Sequence, residues 1–402
     1  MGKLRILIAA EEPFPIGMAA TNRIVSLARG FHEAGVPLHV VLLRPLERPE
    51  RGIVNRDVSG SYLGIPYEYA AGTTVRAGSF IKRRMQVVRG MLRSISIARS
   101  FVRPGEQTAL LMYSGGLTFI IFHFLLCRWL GMTYVIDKSE FPFVLRKKSP
   151  AGKFYARLYT SYCYRLFDVM LVMTKPLERY FRGRIRKNAK LLHVPMTVEI
   201  SRFLENASPI KNGHRYVAYC GFLGDNKDGV PILIEAFALV LKNHRDLKLY
   251  VIGDSPGTDD LERLKRLAAD LHIENNVVFT GRVHRDEMPK YLCNASVLAL
   301  ARPSSLQSEG GFPTKLGEYL STGNPVVVTA VGDIPLYLHD GENGFVAEPD
   351  SARSFADKLD FVLGHPDIAR EVGAQGRRLA LDTFDYRVQA RRIVSFLAEG
   401  HA

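Results

Sequence analysis

The sequence predicts an α/β protein of two doubly wound, Rossmann-like domains, and three observations support this fold class. The chain has 402 residues, which is long enough for two domains with separate cores. Short apolar strands alternate with amphipathic helices in both halves, as they do around parallel sheets. A polar stretch, residues 206–215, separates the halves and predicts a linker. We therefore expect one domain over residues 1–207, a second over 208–383, and a helix in 384–402 that packs back towards the first.

The first half opens with the strand KLRILIAA, followed by a helix that ends at Gly35 and by the strand PLHVVLLR. Between Phe80 and Val102 the apolar residues recur at steps of three and four, which predicts an amphipathic helix. This helix is rich in arginine. We expect its apolar side to pack on the sheet and its arginines to project outward.

A long apolar stretch runs from Ala109 to Cys127 and has the length of a membrane span. Gly115 and Gly116 break it, and Ser114 and His123 lie inside it. We therefore expect a buried strand, a turn and a buried helix in this stretch, rather than a transmembrane helix.

The composition is typical of a protein from a reducing compartment. Its four cysteines are scattered and form no CxxC pair, which argues against a disulfide framework and against a zinc site. The first apolar run is too short for a signal peptide and predicts a strand. A cytoplasmic location is therefore expected, with the protein either free or peripheral on the inner membrane face.

Positive charge is concentrated in the first half of the chain. Residues 1–200 contain 31 Lys and Arg against 13 Asp and Glu, whereas residues 201–402 contain 23 against 27. Two basic runs stand out, at residues 76–103 and 179–190. Such asymmetry suggests an anionic partner, either nucleic acid or an anionic membrane surface. Nucleic acid is disfavoured, because the basic half has no helix-turn-helix, zinc or RNA-binding signature.

The stretch SEGGFPTKLGEYLSTGNPVVVT, residues 308–329, follows the predicted strand VLALA and predicts a helix. Pro313 suits the first turn of this helix, and Gly323 suits its end. The helix then begins at the carboxyl end of a strand, where open α/β sheets bind ligands. Gly310 and Gly311 would let a ligand approach the backbone closely.

The residues at this helix start are suited to a nucleotide sugar. The backbone N–H groups of Thr314, Lys315 and Leu316 are expected to be unpaired and to form an anion site. The Lys315 side chain adds a full positive charge. Glu318 lies one turn further along, where its carboxylate can accept hydrogen bonds from a ribose diol.

Together these features resemble a glycosyltransferase of family 4, a retaining group with the GT-B fold. The resemblance is densest from Tyr216 to Asp350 and weaker over the first half. It is carried by YVAYCGFLGDNKDGVPILIEAF, LKLYVIGD, NVVFTGRV and ARPSSLQSEGGFPTKLGEYLSTGNPVVVT. It implies a nucleotide-diphosphate sugar in a cleft between two domains. It also implies transfer with retention to a glycan or lipid-linked acceptor in cell-surface polysaccharide assembly.

The resemblance implies roles for individual residues of this sequence. Glu318 matches the glutamate that holds the ribose. Thr314 and Lys315 match the positions whose backbone amides meet the diphosphate. Lys227 matches the lysine that neutralises phosphate charge, and Val283 lies where the base is read by backbone groups.

Two positions depart from the family's pattern. The family's first glutamate should stand eight residues before Glu318, where this sequence has Gly310, with Glu309 one residue earlier. Either Glu309 reaches the sugar, or the backbone amides of Gly310–Phe312 hold it. The family's arginine after the first glycine of this domain is also missing. Arg302 is expected either to supply that charge or to be a structural cap.

No metal and no other cofactor is expected. The sequence has no convincing DxD motif, so lysines and helix amides would stabilise the charge of the leaving nucleotide diphosphate.

The acceptor is expected on the first domain. The loop EEPFPIGMAATNR follows the first strand, and Gly17 would let the diphosphate or the acceptor approach. Glu140 follows the strand TYVID, at a place where the family often has a histidine, and is a candidate for acceptor orientation or transition-state support. The basic surface of this domain suits docking to an anionic membrane leaflet.

Other functions stay open from the sequence. One is another GT-B-type nucleotide-sugar enzyme, such as an epimerase, and another is a catalytically weak family member. An NAD-dependent oxidoreductase is disfavoured because no GxGxxG follows KLRILIAA.

Overall fold

A computed structural model of the chain describes residues 3–142, 149–204, 214–224, 227–255 and 259–399. The chain forms two compact units. Unit 1 comprises Met1–Thr197 and Tyr386–Ala402, and unit 2 comprises Val198–Asp385. Most of the predicted linker, residues 206–213, lies outside the described residues.

Unit 1 is built on an eight-stranded sheet. Its strands are β1 (Leu4–Ala10), β2 (Leu38–Leu42), β3 (Ser59–Tyr62), β4 (Ile65–Tyr69), β5 (Gln107–Tyr113), β6 (Thr133–Lys138), β7 (Val169–Val172) and β8 (Lys190–His193). Their order in the sheet is β3-β4-β2-β1-β5-β6-β7-β8. Every pair is parallel except the antiparallel pair β3–β4. The predicted α/β fold class is confirmed for this unit.

Among the described residues of unit 1, six α-helices connect or follow these strands. They are α1 (Ala19–Glu33), α2 (Phe80–Phe101), α3 (Leu117–Leu130), α4 (Pro150–Tyr162), α5 (Lys175–Arg182) and the C-terminal helix, α14 in chain order (Tyr386–Glu399). Helix α14 packs along α1. A Cβ added at Gly30 of α1 would lie 2.5 Å from the Ala390 Cβ, so this glycine lets the two helices approach closely. Ile393 and Leu397 of α14 belong to the core of unit 1.

The hairpin β3–β4 was not predicted from the sequence. Its turn is formed by Leu63 and Gly64, whose φ angles are 51° and 78°. Positive φ at both central positions is typical of the tight turns that join hairpin strands. Asparagine or aspartate usually precedes the glycine in such turns, and the leucine at this position conceals the signal.

Helix α2 forms where the periodicity predicts it, but the predicted packing of its apolar side is wrong. Its buried residues are Gly90, Ser94, Ile97 and Ala98. Its larger apolar side chains upstream are exposed to solvent, namely Phe80, Ile81, Met85, Val88 and Leu92. Small residues and one isoleucine therefore pack against the unit, and a line of large apolar side chains faces water.

The stretch Ala109–Cys127 forms a strand, a turn and a helix, as predicted. Strand β5 is buried along most of its length. The expectation of a buried helix is wrong for one side of α3, because Ile121, Leu125 and Trp129 are exposed. Within the described residues, no helix combines the length and the apolar character needed to cross a membrane.

Unit 2 has a second parallel sheet of six strands. They are β9 (Tyr216–Cys220), β10 (Lys248–Ile252), β11 (Val277–Gly281), β12 (Val297–Leu300), β13 (Val326–Thr329) and β14 (Phe345–Ala347). The strand order is β11-β10-β9-β12-β13-β14. Strand β10, which follows β9 in the sequence, lies on one side of β9, and strand β12 lies on the other side. The loops that follow β9 and β12 therefore diverge, which opens a crevice at the carboxyl ends of these two strands.

The helices of unit 2 surround this sheet. They are α6 (Ser201–Leu204), α7 (Val230–Val240), α8 (Asp260–Asp270), α9 (Met288–Cys293), α10 (Leu306–Gly310), α11 (Thr314–Thr322), α12 (Ala352–Gly364) and α13 (Pro366–Leu379). A π-helical turn, Ala380–Phe384, follows α13. Gly323 ends α11 in the left-handed conformation, with φ 78°, as predicted from the sequence.

The buried histidine of α3 gives unit 1 a predictable pH dependence. His123 is 1% exposed, and its Nδ1 donates to the Phe119 carbonyl oxygen over 2.8 Å. Burial lowers the pKa of His123 from 6.5 to about 4. In the unfolded chain this histidine takes up a proton below about pH 6.5, whereas in the folded chain it stays neutral. The free energy of unfolding should therefore fall by up to roughly 3 kcal/mol between pH 6.5 and pH 4.

Denaturant unfolding at several pH values, compared between the wild type and His123→Leu, measures this effect. All other titrating groups are shared, so the difference between the two pH profiles isolates His123. An identical slope in the two proteins would contradict the prediction.

Candidate functional site

The predicted ligand site lies at the crevice of the unit 2 sheet. The loop after β9 contains Gly221 and leads to Asp228, and the loop after β12 leads to α10 and α11. The Tyr319 hydroxyl of α11 accepts a hydrogen bond from the Cys220 amide over 2.7 Å. This buried bond fixes the start of α11 beside the end of β9. Two loops that are distant in the sequence thus meet at one place.

Asp228 is the centre of a buried polar cluster that joins these loops. Its carboxylate forms an ion pair with the Lys315 ammonium of α11 and accepts a hydrogen bond from the Tyr219 hydroxyl over 2.9 Å. The Arg302 guanidinium lies 3.8 Å from the other carboxylate oxygen. Lys315 is also 3.3 Å from the Tyr219 hydroxyl and lies over the Tyr219 ring. Two cations and one anion leave this cluster with a net positive charge.

The environment fixes the protonation states of the cluster. Burial alone would raise the pKa of Asp228, but Lys315 and then Arg302 outweigh burial and lower it. Burial, together with the nearby Asp228 carboxylate, raises the pKa of Tyr219 well above its ordinary value. Asp228 is therefore ionised and Tyr219 is protonated, so the phenol donates and the carboxylate accepts.

Arg302 has a structural role in this arrangement. Its side chain is 1% exposed, and its Nη1 donates to the Gly311 carbonyl oxygen over 3.1 Å. Its own carbonyl oxygen accepts a hydrogen bond from Thr329 of β13 over 2.7 Å. Arg302 thus ties the loop between α10 and α11 to the sheet. Of the two expected roles, this position favours the structural one, because a ligand has no direct access to the guanidinium.

Two glycines are required by close contacts in the same loops. A Cβ on Gly221 would collide with the Lys315 ammonium and the Tyr219 hydroxyl. Gly229 has φ 68°, and a Cβ there would collide with the Ala301 carbonyl oxygen. Gly221 leaves the space in which Lys315 lies, and Gly229 lets the Asp228 loop pack against the end of β12.

The first turn of α11 matches the sequence prediction with one exception. Pro313 is the N-cap residue, Thr314 is exposed, and Lys315 is partly buried. The amides at a helix start lack intrahelical acceptors and point out along the axis. The Leu316 amide, however, donates to the Pro313 carbonyl oxygen over 3.0 Å, so the expectation that it is unpaired is wrong. The anion site is thereby reduced to the amides of Thr314 and Lys315.

Glu318 lies one turn along the same helix, and its side chain is 30% exposed. Its Oε1 is 3.3 Å from Nη1 of Arg202, a residue of α6 that the sequence did not indicate. Arg202 also donates to the Arg285 carbonyl oxygen over 2.8 Å. Arg202 therefore connects Glu318 to the loop that contains Val283, the predicted base-reading position. Val283 itself is half-buried.

The loop before α11 contains the positions where the sequence departs from the family. Glu309 is exposed on α10, whereas Gly310 is buried. The Gly311 amide donates to the Gln307 carbonyl oxygen over 3.1 Å and is not available to a ligand. Phe312 is buried against the rings of Tyr337 and Phe384, so its side chain belongs to the core. The alternative in which backbone amides hold the sugar is therefore wrong for Gly311.

The remaining predicted residues lie elsewhere in the two units. Lys227 is half-buried next to Asp228, and the two residues before it, 225 and 226, lie outside the described residues. Gly17 of unit 1 has a local packing reason to be glycine, because a Cβ there would collide with Thr21, whose hydroxyl donates to the Pro13 carbonyl oxygen. Glu140 is exposed after the end of β6.

The carboxyl edge of the unit 1 sheet carries a polar group that sequence reasoning missed. Glu11 follows β1 and accepts hydrogen bonds from the Ser114 hydroxyl and the Gly116 amide after β5. Its second carboxylate oxygen lies 3.1 Å from Nε of Arg44, which follows β2. Burial raises the pKa of Glu11. The strand order, with β1 between β2 and β5, brings these four residues together.

In the part of the chain that the structure describes, no group of three or more His, Cys, Asp or Glu side chains is arranged to hold a metal ion.

Residues 214–365 match the family described as Glycosyl transferases group 1. The GDP-mannose-dependent alpha-(1-6)-phosphatidylinositol monomannoside mannosyltransferase of Mycolicibacterium smegmatis is 27% identical over 241 residues, which are 58% of this chain and 62% of that protein. The N-acetyl-alpha-D-glucosaminyl L-malate synthase of Bacillus anthracis is 27% identical over 166 residues, which are 41% of this chain and 40% of that protein. The chain therefore spans less than two thirds of the length of these curated relatives.

Two solved structures share the fold over nearly the whole chain. Anabaena Alr3699/HepE, in complex with UDP, has a TM-score of 0.73 at 14% identity and covers 98% of this chain and 100% of its own. The sucrose-phosphate synthase of Thermosynechococcus elongatus has a TM-score of 0.73 at 16% identity, with 99% and 98% covered. The predicted GT-B fold class and the resemblance to glycosyltransferases are confirmed. The assignment to family 4 stays a prediction.

The Asp228 cluster predicts a large effect of a nearly isosteric substitution. Asp228→Asn leaves Lys315 and the buried Arg302 without their counter-charge, and should lower the free energy of unfolding by roughly 3–5 kcal/mol at pH 7. The lowered pKa means that this contribution is complete above about pH 3.8 and is lost as the pH falls further, through the folded-state pKa.

Urea unfolding of the wild type and of Asp228→Asn at pH 7 measures the difference in the free energy of unfolding. Asp246→Asn, at an exposed position of the same unit, removes the same charge and is the matched control. Equal losses in the two variants, or a loss below about 1 kcal/mol in Asp228→Asn, would contradict a structural role for the cluster.

Proposed function

We propose that this chain, whose residues 214–365 match the family Glycosyl transferases group 1, is a retaining glycosyltransferase of family 4. It takes a sugar from a nucleotide-diphosphate sugar, without a metal ion, and transfers it to a glycan or lipid-linked acceptor of cell-surface polysaccharide assembly. Unit 2 binds the donor and unit 1 binds the acceptor. The start of α11, with the positively charged Asp228 cluster beside it, is the observation that carries the proposal.

This arrangement suits a diphosphate for electrostatic reasons. The amides of Thr314 and Lys315 add the positive end of the α11 dipole to the net charge of the cluster. Asp228 and Tyr219 hold the Lys315 ammonium in one place, so little rearrangement is needed when an anion arrives. Lys227, on the same loop as Asp228, supplies a further positive charge.

The same groups can stabilise the transition state. As the bond between the sugar and the diphosphate breaks, negative charge builds up on the leaving phosphate, and fixed cations and amides favour that change. Glu318 is placed for the ribose, because one of its oxygens lies near Arg202 while the side chain keeps access to solvent. A carboxylate in this position can accept hydrogen bonds from both hydroxyls of a diol.

Donor binding gives a direct test. Glu318→Ala should weaken binding of UDP or GDP, whichever the protein binds, by about tenfold to a hundredfold, because charge-assisted hydrogen bonds to the ribose are lost. Isothermal titration calorimetry measures the dissociation constants. The 2′,3′-dideoxy analogue of the same nucleotide lacks the diol, so it should bind the wild type and Glu318→Ala about equally.

Arg202→Gln is the matched control, since it removes the ion pair to Glu318 and keeps the carboxylate. If Arg202→Gln lost as much nucleotide affinity as Glu318→Ala, the position of α11 rather than the Glu318 carboxylate would determine nucleotide binding. If neither UDP nor GDP binds the wild type, the proposed function fails.

Glu309→Ala separates the two expectations for the sugar. A lower kcat with unchanged nucleotide affinity indicates that Glu309 contacts the sugar, and unchanged turnover indicates that it does not.

A membrane location of the acceptor is supported by exposed apolar side chains on unit 1. Three helices, α2, α3 and α4, each present a line of such residues at helical spacing, and all of these residues are at least 42% exposed. They are Phe80, Ile81, Met85, Val88 and Leu92 on α2, Ile121, Leu125 and Trp129 on α3, and Phe154, Leu158 and Tyr162 on α4. We call this set the apolar face. Helix α3 packs against α2 and against the turn that follows α4, so the three helices lie in one part of unit 1.

The charged residues of α2, α3 and α4 are all basic, and two of them form ion pairs with acids of other elements, Arg93 with Glu68 and Arg128 with Asp168. The sequences of α2, α3 and α4 contain no aspartate or glutamate. Their exposed cations are Lys82, Arg84, Arg89, Arg93, Arg99, Arg128, Lys153 and Arg157. Apolar and aromatic residues flanked by Lys and Arg are typical of helices that lie in an anionic membrane interface. The mycobacterial relative is named for a lipid acceptor, a phosphatidylinositol monomannoside, which agrees with this location.

The second basic run, residues 179–190, contributes less. Arg182 forms an ion pair with Glu178, and Arg186 forms one with Asp168. Arg184 donates to the Tyr180 carbonyl oxygen and lies over the Tyr180 ring. Part of this positive charge is therefore neutralised within unit 1, and the apolar face is the principal contact with the membrane.

Vesicle co-sedimentation tests the membrane contact. Met85→Ser/Leu92→Ser should weaken binding to vesicles rich in phosphatidylglycerol by about tenfold, because two exposed side chains that enter the interface become polar. High salt should weaken wild-type binding without abolishing it, since apolar insertion is less sensitive to screening than charge attraction. Both substitutions are at exposed positions and should leave the fold intact.

Leu336→Ser/Ile368→Ser, at exposed apolar positions of unit 2, is the control and should bind as the wild type does. The proposed contact is wrong if the wild type does not co-sediment at low salt. It is also wrong if the two double variants bind equally.

A further inference from the structure

A cavity of about 280 Å³ lies at the beginning of α2, where the chain from the carboxyl end of β2 also passes. Its lining residues are Arg44, Pro45, Arg76, Phe80, Arg83, Arg84, Gln86 and Val87. We call it the arginine cavity. Its volume is close to the lower limit of small-ligand sites, which is about 300 Å³. All of its lining residues belong to unit 1.

The walls of the arginine cavity are held by hydrogen bonds. The Gln86 side chain accepts from the Ala77 amide over 3.1 Å and donates to the Val75 carbonyl oxygen over 3.0 Å. The amides of Leu46 and Glu47 both donate to the Thr74 carbonyl oxygen, over 3.1 and 3.0 Å. The segment between β4 and α2 is therefore fixed both to α2 and to the chain that follows β2, so the cavity is preformed.

The lining is strongly positive. It contains four guanidinium groups and no carboxylate. Arg44 is 3.1 Å from Glu11, whereas for Arg76, Arg83 and Arg84 the described residues offer no carboxylate within ion-pair distance. Desolvation and the neighbouring Arg48, Arg83 and Arg44 lower the pKa of Arg76, against a smaller opposing effect of Glu50. The first turn of α2 adds the positive end of a 22-residue helix.

We propose that the arginine cavity binds a phosphate ester. The planar fork of a guanidinium matches two oxygens of a phosphate group, and several forks around one preformed cavity favour a group with more than one charged oxygen. A neutral sugar would leave three arginines uncompensated, and a carboxylate would use only two oxygens. Phe80 and Val87 supply an apolar wall for the organic part of the ester.

The location indicates which substrate carries the phosphate. Arg44 connects the cavity to Glu11, at the edge of the sheet where β1, β2 and β5 end. If the proposed transfer reaction is correct, this is the acceptor side, and the acceptor is a phosphate-bearing molecule. That assignment rests on the proposed function, whereas binding of a phosphate ester does not.

The phosphate can belong to a lipid headgroup or to a soluble ester, and the structure contains one feature relevant to this choice. Phe80 both lines the cavity and begins the exposed apolar line of α2. A lipid phosphate in the cavity would have its acyl chains beside the apolar face. A soluble ester would use the cavity alone.

The test uses two double variants, each of which lacks two positive charges. It compares how strongly they bind two probes. Arg76→Gln/Arg83→Gln removes two cavity arginines, and Lys242→Gln/Arg245→Gln removes two exposed cations of unit 2 that belong neither to the cavity nor to the apolar face. The soluble probe is glycerol 1-phosphate, titrated by calorimetry. The lipid probe is phosphatidic acid in phosphatidylcholine vesicles, measured by co-sedimentation against vesicles of phosphatidylcholine alone.

We expect the cavity variant to bind at least tenfold more weakly and the control variant to stay within about twofold of the wild type. Saturable binding of glycerol 1-phosphate assigns the cavity to soluble esters, and binding of phosphatidic acid alone assigns it to lipid headgroups. Equal losses in the two variants, or no saturable binding of either probe by the wild type, overturn the proposal. Titration with UDP and GDP runs in parallel: unchanged nucleotide binding in the cavity variant shows that the donor site is intact, so the two proposals can fail separately.

Discussion

The geometry of the unit 2 site depends on one buried carboxylate. Asp228 meets Lys315, which is 87 residues further along the chain, and the same carboxylate orients Tyr219 and lies near Arg302. Each cation alone would be costly to bury, and the carboxylate alone would be neutralised by protonation. Asp228, Lys315 and Arg302 can all stay ionised in this buried position only when the three groups are present together. The position of the α11 start is therefore fixed by charge balance as well as by apolar packing.

The local features of the fold were predictable from sequence because local chemistry determines them. Pro313 and Gly323 mark the ends of α11 through backbone conformations that these residues favour. Asp228 was not predictable as a site residue, since an aspartate beside a glycine is typical of a loop, and its burial depends on Lys315 across the fold. The same limit applies to α2. Its periodicity predicts a helix, but periodicity does not specify which side of the helix meets the sheet, and Gly90 and Ser94 pack inward in place of Met85 and Leu92.

The Asp228 cluster of unit 2 and helix α2 of unit 1 use charge in different ways. Unit 2 buries its important cations and pairs them with a carboxylate, which gives fixed positions and a modest net charge. Unit 1 leaves most cations of α2 exposed and surrounds them with exposed apolar side chains, which is costly for solubility unless a partner covers them. The first arrangement suits recognition of a small anion with a defined shape. The second suits a broad surface with little defined geometry, such as a lipid headgroup layer.

The packing of α14 in unit 1 has a consequence for how the protein is made. Unit 1 is discontinuous: its sheet is complete by residue 193, but Ile393 and Leu397 of its core come 200 residues or more later in the sequence. During synthesis, α1 cannot pack against α14 until the whole of unit 2 has emerged from the ribosome. At a rate of roughly 5–20 residues per second, this interval lasts on the order of 10–40 seconds. Through that interval the side of α1 that packs on α14 is uncovered, so the nascent protein is a substrate for chaperones until α14 has been synthesised.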